Sequence, residues 1–153
     1  ELGQVVSPDD AALAARGLRT MGVRLEAQTR TALRIAEWLD AHPAVARVMC
    51  PMLPSDPGHA LWRRDFTGGC GLFAFELASD DPAASARVAD ALALFGIGYS
   101  WGGFESLALP IRPEDYRSCM PGTHGAPALR LAIGLEDADD LIADLAQALE
   151  PLT

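Results

Sequence analysis

The stretch Gly71-Leu72-Phe73-Ala74-Phe75-Glu76-Leu77 places large apolar side chains at every second position. A period of two is typical of a β-strand with one buried face, here the face that carries both phenylalanines. Three other segments have strand character, residues 45–50 before it and residues 106–109 and 128–133 after it. The sequence therefore predicts a small sheet built from these four segments.

Helical patterns occur along the chain both before and after the predicted strands. Ser7-Pro8-Asp9-Asp10 is typical of a helix start, because serine can cap the helix, proline suits its first turn and carboxylates favour its positive end. An apolar stripe from Leu18 to Leu39, interrupted by Gln28, predicts one long helix that ends at His42-Pro43. Shorter helices are predicted over residues 60–65, from Pro82 through Phe95, and over residues 137–149.

This order of elements predicts an α+β (mixed α/β) fold. A small, largely antiparallel sheet should be covered by helices on one face and preceded by a long N-terminal helix. A chain of 153 residues suits a single domain over residues 1–153. The first helix is too long for so small a sheet to cover, so part of its apolar stripe should contact something outside this chain.

Composition narrows the possible partners. The net charge of −9 and the scattered basic residues disfavour nucleic acid, since phosphate contacts need clustered arginine or lysine. No apolar run approaches the roughly 20 residues that cross a bilayer, so no membrane span is expected. The three cysteines lack the spacing of a disulfide framework or a zinc site, which suits a reducing cytoplasm. The three histidines also lack metal-ligand spacing, so no metal site is expected.

Two features of the charged residues matter for chemistry. All twelve basic residues are arginines, so no reaction that needs a lysine amine can use a residue of this chain. Asp139, Asp140 and Asp144 are expected to serve the dipole and the solubility of the last helix.

Arg130 is the first candidate binding residue. In Leu129-Arg130-Leu131-Ala132-Ile133 the period of two turns the leucines to one face of a strand and Arg130 to the other. A guanidinium carries a planar set of donors that matches a carboxylate, so Arg130 could anchor an amino-acid substrate. The alternative is a surface arginine paired with a nearby acidic side chain.

The segment from Gly98 to Ser106 is the second candidate. Its glycines allow close approach of the backbone, and the amides around Ser100 and Trp101 could point at an anion. Aromatic residues among glycines also describe an ordinary connection between strands with a packed tryptophan. The pattern alone leaves both interpretations open.

The segment Tyr99-Ser100-Trp101-Gly102-Gly103-Phe104-Glu105-Ser106 resembles part of the pyridoxal-phosphate (PLP) enzymes of Cys/Met metabolism, a fold-type I family, and within it the cystathionine β-lyase branch. Three further stretches agree. Residues 15–21 are similar to the start of the family's long interdomain helix, residues 57–62 to its mid-domain segment, and residues 129–144 to its closing strand and helix. The chain therefore resembles the C-terminal domain of such an enzyme.

The resemblance implies roles for four residues. Arg130 would hold the α-carboxylate of a cystathionine-like amino acid, Ser100 and Trp101 would help to position it, and Tyr99 would form part of the pocket wall. The γ-cleaving and γ-replacing relatives usually carry leucine where this chain has Trp101, so the tryptophan favours the β-lyase branch. The segment 111–124 departs from the γ-enzymes but also matches the β-lyases least well.

The resemblance also implies what lies elsewhere. The lysine that binds PLP, and the other cofactor-binding residues, belong to an N-terminal domain, so this chain would hold neither catalytic residues nor cofactor and would be inactive alone. Residues 1–8 would be a remnant of the connection to that domain. The complete enzyme would be a cytoplasmic homo-oligomer, a homotetramer, that converts cystathionine to homocysteine, pyruvate and ammonia. A cystathionine γ-lyase or γ-synthase type of domain, or a non-catalytic amino-acid-binding or assembly domain, remains as an alternative.

Overall fold

The computed structural model describes residue 3 and residues 5–112 and 126–152, and the statements below concern those residues. The described residues form five helices and five strands. They are α1 (Pro8–Leu18), α2 (Met21–Asp40), β1 (Val45–Met49), α3 (His59–Asp65), β2 (Leu72–Leu77), α4 (Ala84–Ala91), β3 (Gly96–Ile97), β4 (Leu107–Ile111), β5 (Ala128–Ala132) and α5 (Ala138–Leu149). A short 3-10 turn over Glu150–Leu152 follows α5.

The five strands form one sheet in the order β1-β2-β5-β4-β3. Neighbouring strands are antiparallel except β3 and β4, which are parallel. The predicted mixed α/β fold with a largely antiparallel sheet is thus confirmed. Strand β5 lies in the middle of the sheet, so its side chains have neighbours on both sides.

The core lies on one face of the sheet. Phe73 is opposite Leu131 and Phe75 is opposite Leu129, and all four side chains are buried. Helices α2, α4 and α5 supply the other half of this core, with Ile35 among the fully buried side chains. The alternation in residues 71–77 therefore positions the strand as predicted, with its aromatic face toward the helices.

The predicted long first helix is in fact two helices. Helix α1 ends at Leu18 and α2 begins at Met21. At the junction the Thr20 amide donates to the carbonyl oxygen of Gly17, and the Thr20 hydroxyl donates to the same oxygen. A threonine that bonds a nearby carbonyl competes with the helical ladder, and Gly17 favours the helix weakly, so an unbroken apolar stripe did not guarantee an unbroken helix.

The helix predicted from Pro82 through Phe95 is shorter, and it leads to a strand that was not predicted. Helix α4 ends at Ala91, and Gly96–Ile97 then pair with β4. The backbone amides of Ala93 and Leu94 donate to the carboxylate of Asp144 on α5. Asp144 is buried, so the prediction that it serves only solubility and the helix dipole was wrong.

The apolar stripe is buried only in its C-terminal half. Gln28, Ala32, Ile35 and Leu39 are buried, whereas α1 has no buried residue and Leu18 is 65% exposed. The exposure of Leu18 agrees with the expectation that part of the apolar stripe contacts something outside the chain, although the contact itself stays a prediction. None of the helices in the described part of the chain is both long and apolar enough to cross a lipid bilayer.

Candidate functional site

Arg130 lies at the centre of the middle strand, on the face opposite the core. Its strand neighbours Leu129 and Leu131 are fully buried among the helices, so the pleat turns Arg130 the other way. Across the sheet it is opposite Ala74 on β2 and Leu109 on β4. No charged side chain is therefore directly opposite it on either neighbouring strand.

The guanidinium of Arg130 has no acidic partner among the described residues. The ion pairs there join Arg34 to Asp139, Arg64 to Asp65, and Arg87 to Asp81. The Nε atom of Arg130 is buried and has no hydrogen-bond partner in the same part of the chain. A buried donor without an acceptor is costly, which distinguishes Arg130 from an ordinary solvated surface arginine.

The segment from Tyr99 to Trp101 lies against this guanidinium. The Nη2 group donates to the Ser100 carbonyl oxygen over 3.2 Å. The guanidinium carbon lies 4.9 Å from the centre of the Tyr99 ring and 5.8 Å from that of Trp101, both within reach of a cation–π contact. All four site residues predicted from the sequence are thus brought together.

The contact that Ser100 makes differs from the one that the sequence predicts. The loop amides were expected to point at an anion, but the contact that the structure gives is from Arg130 to the Ser100 carbonyl oxygen. This bond uses one donor of the guanidinium and fixes the plane of the group. The remaining N–H groups of the guanidinium can still donate to a planar anion such as a carboxylate. Tyr99 and Trp101 are 68% and 61% exposed, so the site is open on one side.

Residues that the sequence did not single out hold the loop from the helix side. Gln28 on α2 is 2% exposed, and its Nε2 donates to the Gly103 carbonyl oxygen over 2.7 Å. Arg24, one turn earlier, donates to the Gly102 carbonyl oxygen. Gly102 has a φ of 75°, a conformation that favours glycine. The polar interruption of the apolar stripe was the signal in the sequence for this contact.

A second set of contacts holds the other end of the loop. The carboxylate of Glu136 accepts from the Ser106 amide and from the Ser106 hydroxyl, each over 2.7 Å. The hydroxyl in turn accepts from the Gly134 amide, and Ser106 is fully buried. A Cβ on Gly134 would collide with the carbonyl oxygen of Phe104, so only glycine allows this close approach.

A separate apolar cavity of about 540 Å³ lies between α3 and the start of β2. Trp62 and Phe66 line it together with Cys50 and Cys70. Burial raises the pKa of the Cys50 thiol, so this group is a poor nucleophile at neutral pH. Within the described residues no cluster of histidine, cysteine and carboxylate side chains could hold a metal ion.

Comparison with known proteins identifies the family. The model of the family described as Cys/Met metabolism PLP-dependent enzyme matches residues 1–150. The chain belongs to the Cys/Met metabolism PLP-dependent enzyme family.

Several curated relatives carry the name cystathionine beta-lyase, among them proteins from Bordetella avium and Escherichia coli. The protein from Bordetella avium is 51% identical over 150 residues, which cover 97% of this chain and 38% of the relative. Cystathionine beta-lyase MetC of Escherichia coli is 48% identical over 148 residues, which cover 94% of this chain and 38% of the relative. The chain therefore spans well under half the length of these relatives.

A solved structure with lower sequence identity than these relatives has the same fold. It is described as a "putative O-acetylhomoserine (thiol)-lyase" from Campylobacter jejuni and contains N'-pyridoxyl-lysine-5'-monophosphate. The superposition has a TM-score of 0.86 at 35% identity and covers 98% of this chain and 35% of that one. Relatives that are less similar to this chain than the two cystathionine beta-lyases include an L-methionine gamma-lyase of Pseudomonas deceptionensis, at 41% identity.

Proposed function

We propose that this chain is the C-terminal, substrate-carboxylate-binding part of a PLP-dependent carbon–sulfur β-lyase. The complete enzyme would convert cystathionine to homocysteine, pyruvate and ammonia. The observation that carries the proposal is the half-buried Arg130, whose Nε has no hydrogen-bond partner in the part of the chain that the structure describes and whose guanidinium lies against Tyr99, Ser100 and Trp101. The similarity to two cystathionine beta-lyases supports the choice of substrate.

The cofactor would be held by another part of the complete protein. The chain has no lysine, so none of its residues can form the covalent link to PLP. When bound, PLP stabilises the negative charge left at the α-carbon after its proton is removed. The role of this chain is to fix the carboxylate on that same carbon, which orients the substrate toward the reacting groups.

Substitution of Arg130 tests the proposal. We expect Arg130→Ala, in the complete protein that carries this chain, to lower kcat/KM for cystathionine about 100-fold. Loss of a charge-assisted carboxylate contact costs about 3 kcal/mol, and each 1.4 kcal/mol is a factor of ten. Pyruvate release should be measured, and the absorbance of bound PLP should stay unchanged.

Arg87→Ala is the matched control. Arg87, on α4, forms an exposed ion pair with Asp81, which precedes the helix. Replacing Arg87 with alanine should therefore leave kcat/KM within twofold. Kinetics of Arg130→Ala equal to those of this control would refute the assignment of Arg130.

A γ-cleaving activity is the second candidate, because the relatives include an L-methionine gamma-lyase. The bond that is broken distinguishes the two reactions. A β-lyase releases pyruvate from cystathionine, whereas a γ-lyase releases 2-oxobutyrate. We expect pyruvate as the 2-oxo acid formed by the complete protein, and 2-oxobutyrate as the main product would favour the second candidate.

The assembly of the complete protein belongs to the same proposal. We infer a cytoplasmic homotetramer in which this chain forms one domain of each subunit and the cofactor part forms another. The exposed apolar residues of α1 support a contact beyond this chain. Light scattering of the complete protein, together with chromatography, would measure the subunit number.

A further inference from the structure

The loop from Tyr99 to Glu105 has little support of its own. All seven residues are exposed, and they form neither helix nor strand. Segments with few buried apolar contacts are the ones that open most easily. The position of this loop against Arg130 must therefore depend on the hydrogen bonds that reach it from elsewhere.

One such bond comes from Gln28, in the middle of α2. Its neighbours in the buried stripe, Ala32, Ile35 and Leu39, are apolar, so a buried amide at position 28 brings no packing advantage to the helix. Burial of an amide is costly unless it is hydrogen-bonded. The bond of 2.7 Å to the Gly103 carbonyl oxygen meets this need and ties the loop to a rigid helix.

Arg24, one turn before Gln28, adds a bond to the Gly102 carbonyl oxygen, and further bonds come from Glu136, just beyond β5. Its two carboxylate oxygens accept from the amide and the hydroxyl of Ser106, at the C-terminal end of the loop. Leu135 adds a backbone bond to the Phe104 carbonyl oxygen. Because Glu136 follows the strand that carries Arg130, these contacts fix the loop relative to the strand.

We propose that Gln28 and Glu136 are positioning residues that hold the loop of residues 99–105 against Arg130 and thereby set the affinity for the substrate carboxylate. This inference rests on the proposed function. Neither residue touches the guanidinium in the structure, and both act through the loop backbone. If the loop moves away, Arg130 loses its bond to the Ser100 carbonyl oxygen and its contacts with the Tyr99 and Trp101 rings.

The expected kinetic signature is a change in KM rather than in kcat. The carboxylate does not take part in bond breaking, so it is held alike in the ground state and the transition state. Loss of such uniform binding raises KM and leaves kcat unchanged. A merely structural role would instead lower the amount of active enzyme, and thus kcat, at unchanged KM.

Variants of the complete protein test this signature. Gln28→Met keeps the length of the side chain, removes the donor and suits the apolar stripe. We expect it to raise KM for cystathionine about fivefold to tenfold, with kcat within twofold. Glu136→Ala should raise KM by at least as much, and Glu136→Gln, which keeps one acceptor for the Ser106 amide, should raise it less.

Gln147→Met is the control for Gln28→Met. The exposed Gln147 side chain also donates to a backbone carbonyl oxygen, that of Ala91, over 2.8 Å, but this bond joins α5 to the end of α4 and does not reach the loop. Its KM should equal that of the unsubstituted protein. The absorbance of bound PLP and the thermal midpoint of unfolding show whether each variant is folded.

The outcomes separate this inference from the proposed function. If the unsubstituted protein releases no 2-oxo acid from cystathionine, the proposed function fails. If it is active but Gln28→Met and Glu136→Ala both keep its KM, the inference alone is overturned. A variant that does not fold is set aside, because Gln28 and Glu136 hold different ends of the loop and either series decides the question.

Discussion

Arg130 lies close to two aromatic rings, those of Tyr99 and Trp101, that are themselves largely exposed. A cation–π contact at an exposed site contributes about 0.5–1 kcal/mol, much less than a charge-assisted bond to a carboxylate. The Tyr99 ring is the nearer of the two, 4.9 Å from the guanidinium carbon. We therefore expect the Tyr99 ring to orient Arg130 and the guanidinium to supply most of the free energy of carboxylate binding.

This ranking predicts a graded effect at position 99. Tyr99→Leu, which removes the ring, should raise KM for cystathionine about twofold to fivefold. Tyr99→Phe keeps the ring and should leave KM within twofold. Steady-state kinetics of the complete protein would measure both. An effect of Tyr99→Phe as large as that of Tyr99→Leu would show that the hydroxyl, rather than the ring, matters.

The four residues predicted for the site follow from the resemblance of their motif and strand to a known family, because the local pattern alone left two interpretations open. The residues that hold the loop do not follow from it, since Gln28 is 75 residues from Gly103 and Glu136 is 30 residues from Ser106. A contact over such a separation exists only after folding, so no local pattern encodes it. The one local clue was the polar residue in an apolar stripe, which by itself gives no partner.

Among the elements, α5 determines where α4 ends. Residues 91–94 contain no helix-breaking residue, so local propensity favours a longer helix. Asp144 overrides this preference by accepting from the backbone amides of Ala93 and Leu94, and Gln147 donates to the same carboxylate. Tertiary bonds of this kind explain why four of the five strands were predicted from the sequence, whereas the end of α4 was not.

The stability of the α4–α5 contact should therefore depend on Asp144. We expect Asp144→Ala to lower the free energy of unfolding of the 153-residue chain by about 1–2 kcal/mol, because two part-buried backbone amides lose their acceptor. Asp140→Ala, on the exposed first turn of the same helix, is the control and should change it by less than about 0.5 kcal/mol. Urea unfolding would measure both, and equal effects would contradict the role of Asp144.

At the scale of the whole molecule, the first forty residues divide into two parts. The C-terminal half of α2 belongs to the core, whereas α1 exposes Leu13 and Leu18 and has no buried residue. Such exposure is typical of a surface that another part of a protein covers. The sequence predicted this division from the length of the helical pattern, although it did not predict the break at Thr20.

Hydrogen exchange would test whether α1 is covered. We expect the amides of residues 11–18 to exchange at least tenfold more slowly in the complete protein than in the 153-residue chain. The amides of residues 32–39, already in the core, should change much less and serve as the control. Equal exchange of α1 in both proteins would show that nothing outside this chain packs on it.

The central claim is that Arg130 binds the carboxylate of an amino-acid substrate. A crystal structure of the complete protein with a non-cleavable cystathionine analogue tests it most directly. The account predicts the α-carboxylate of the analogue at about 2.7–2.9 Å from two guanidinium nitrogens of Arg130, with the backbone of Ser100 and Trp101 beside it. A carboxylate bound elsewhere, with Arg130 facing solvent, would contradict the account.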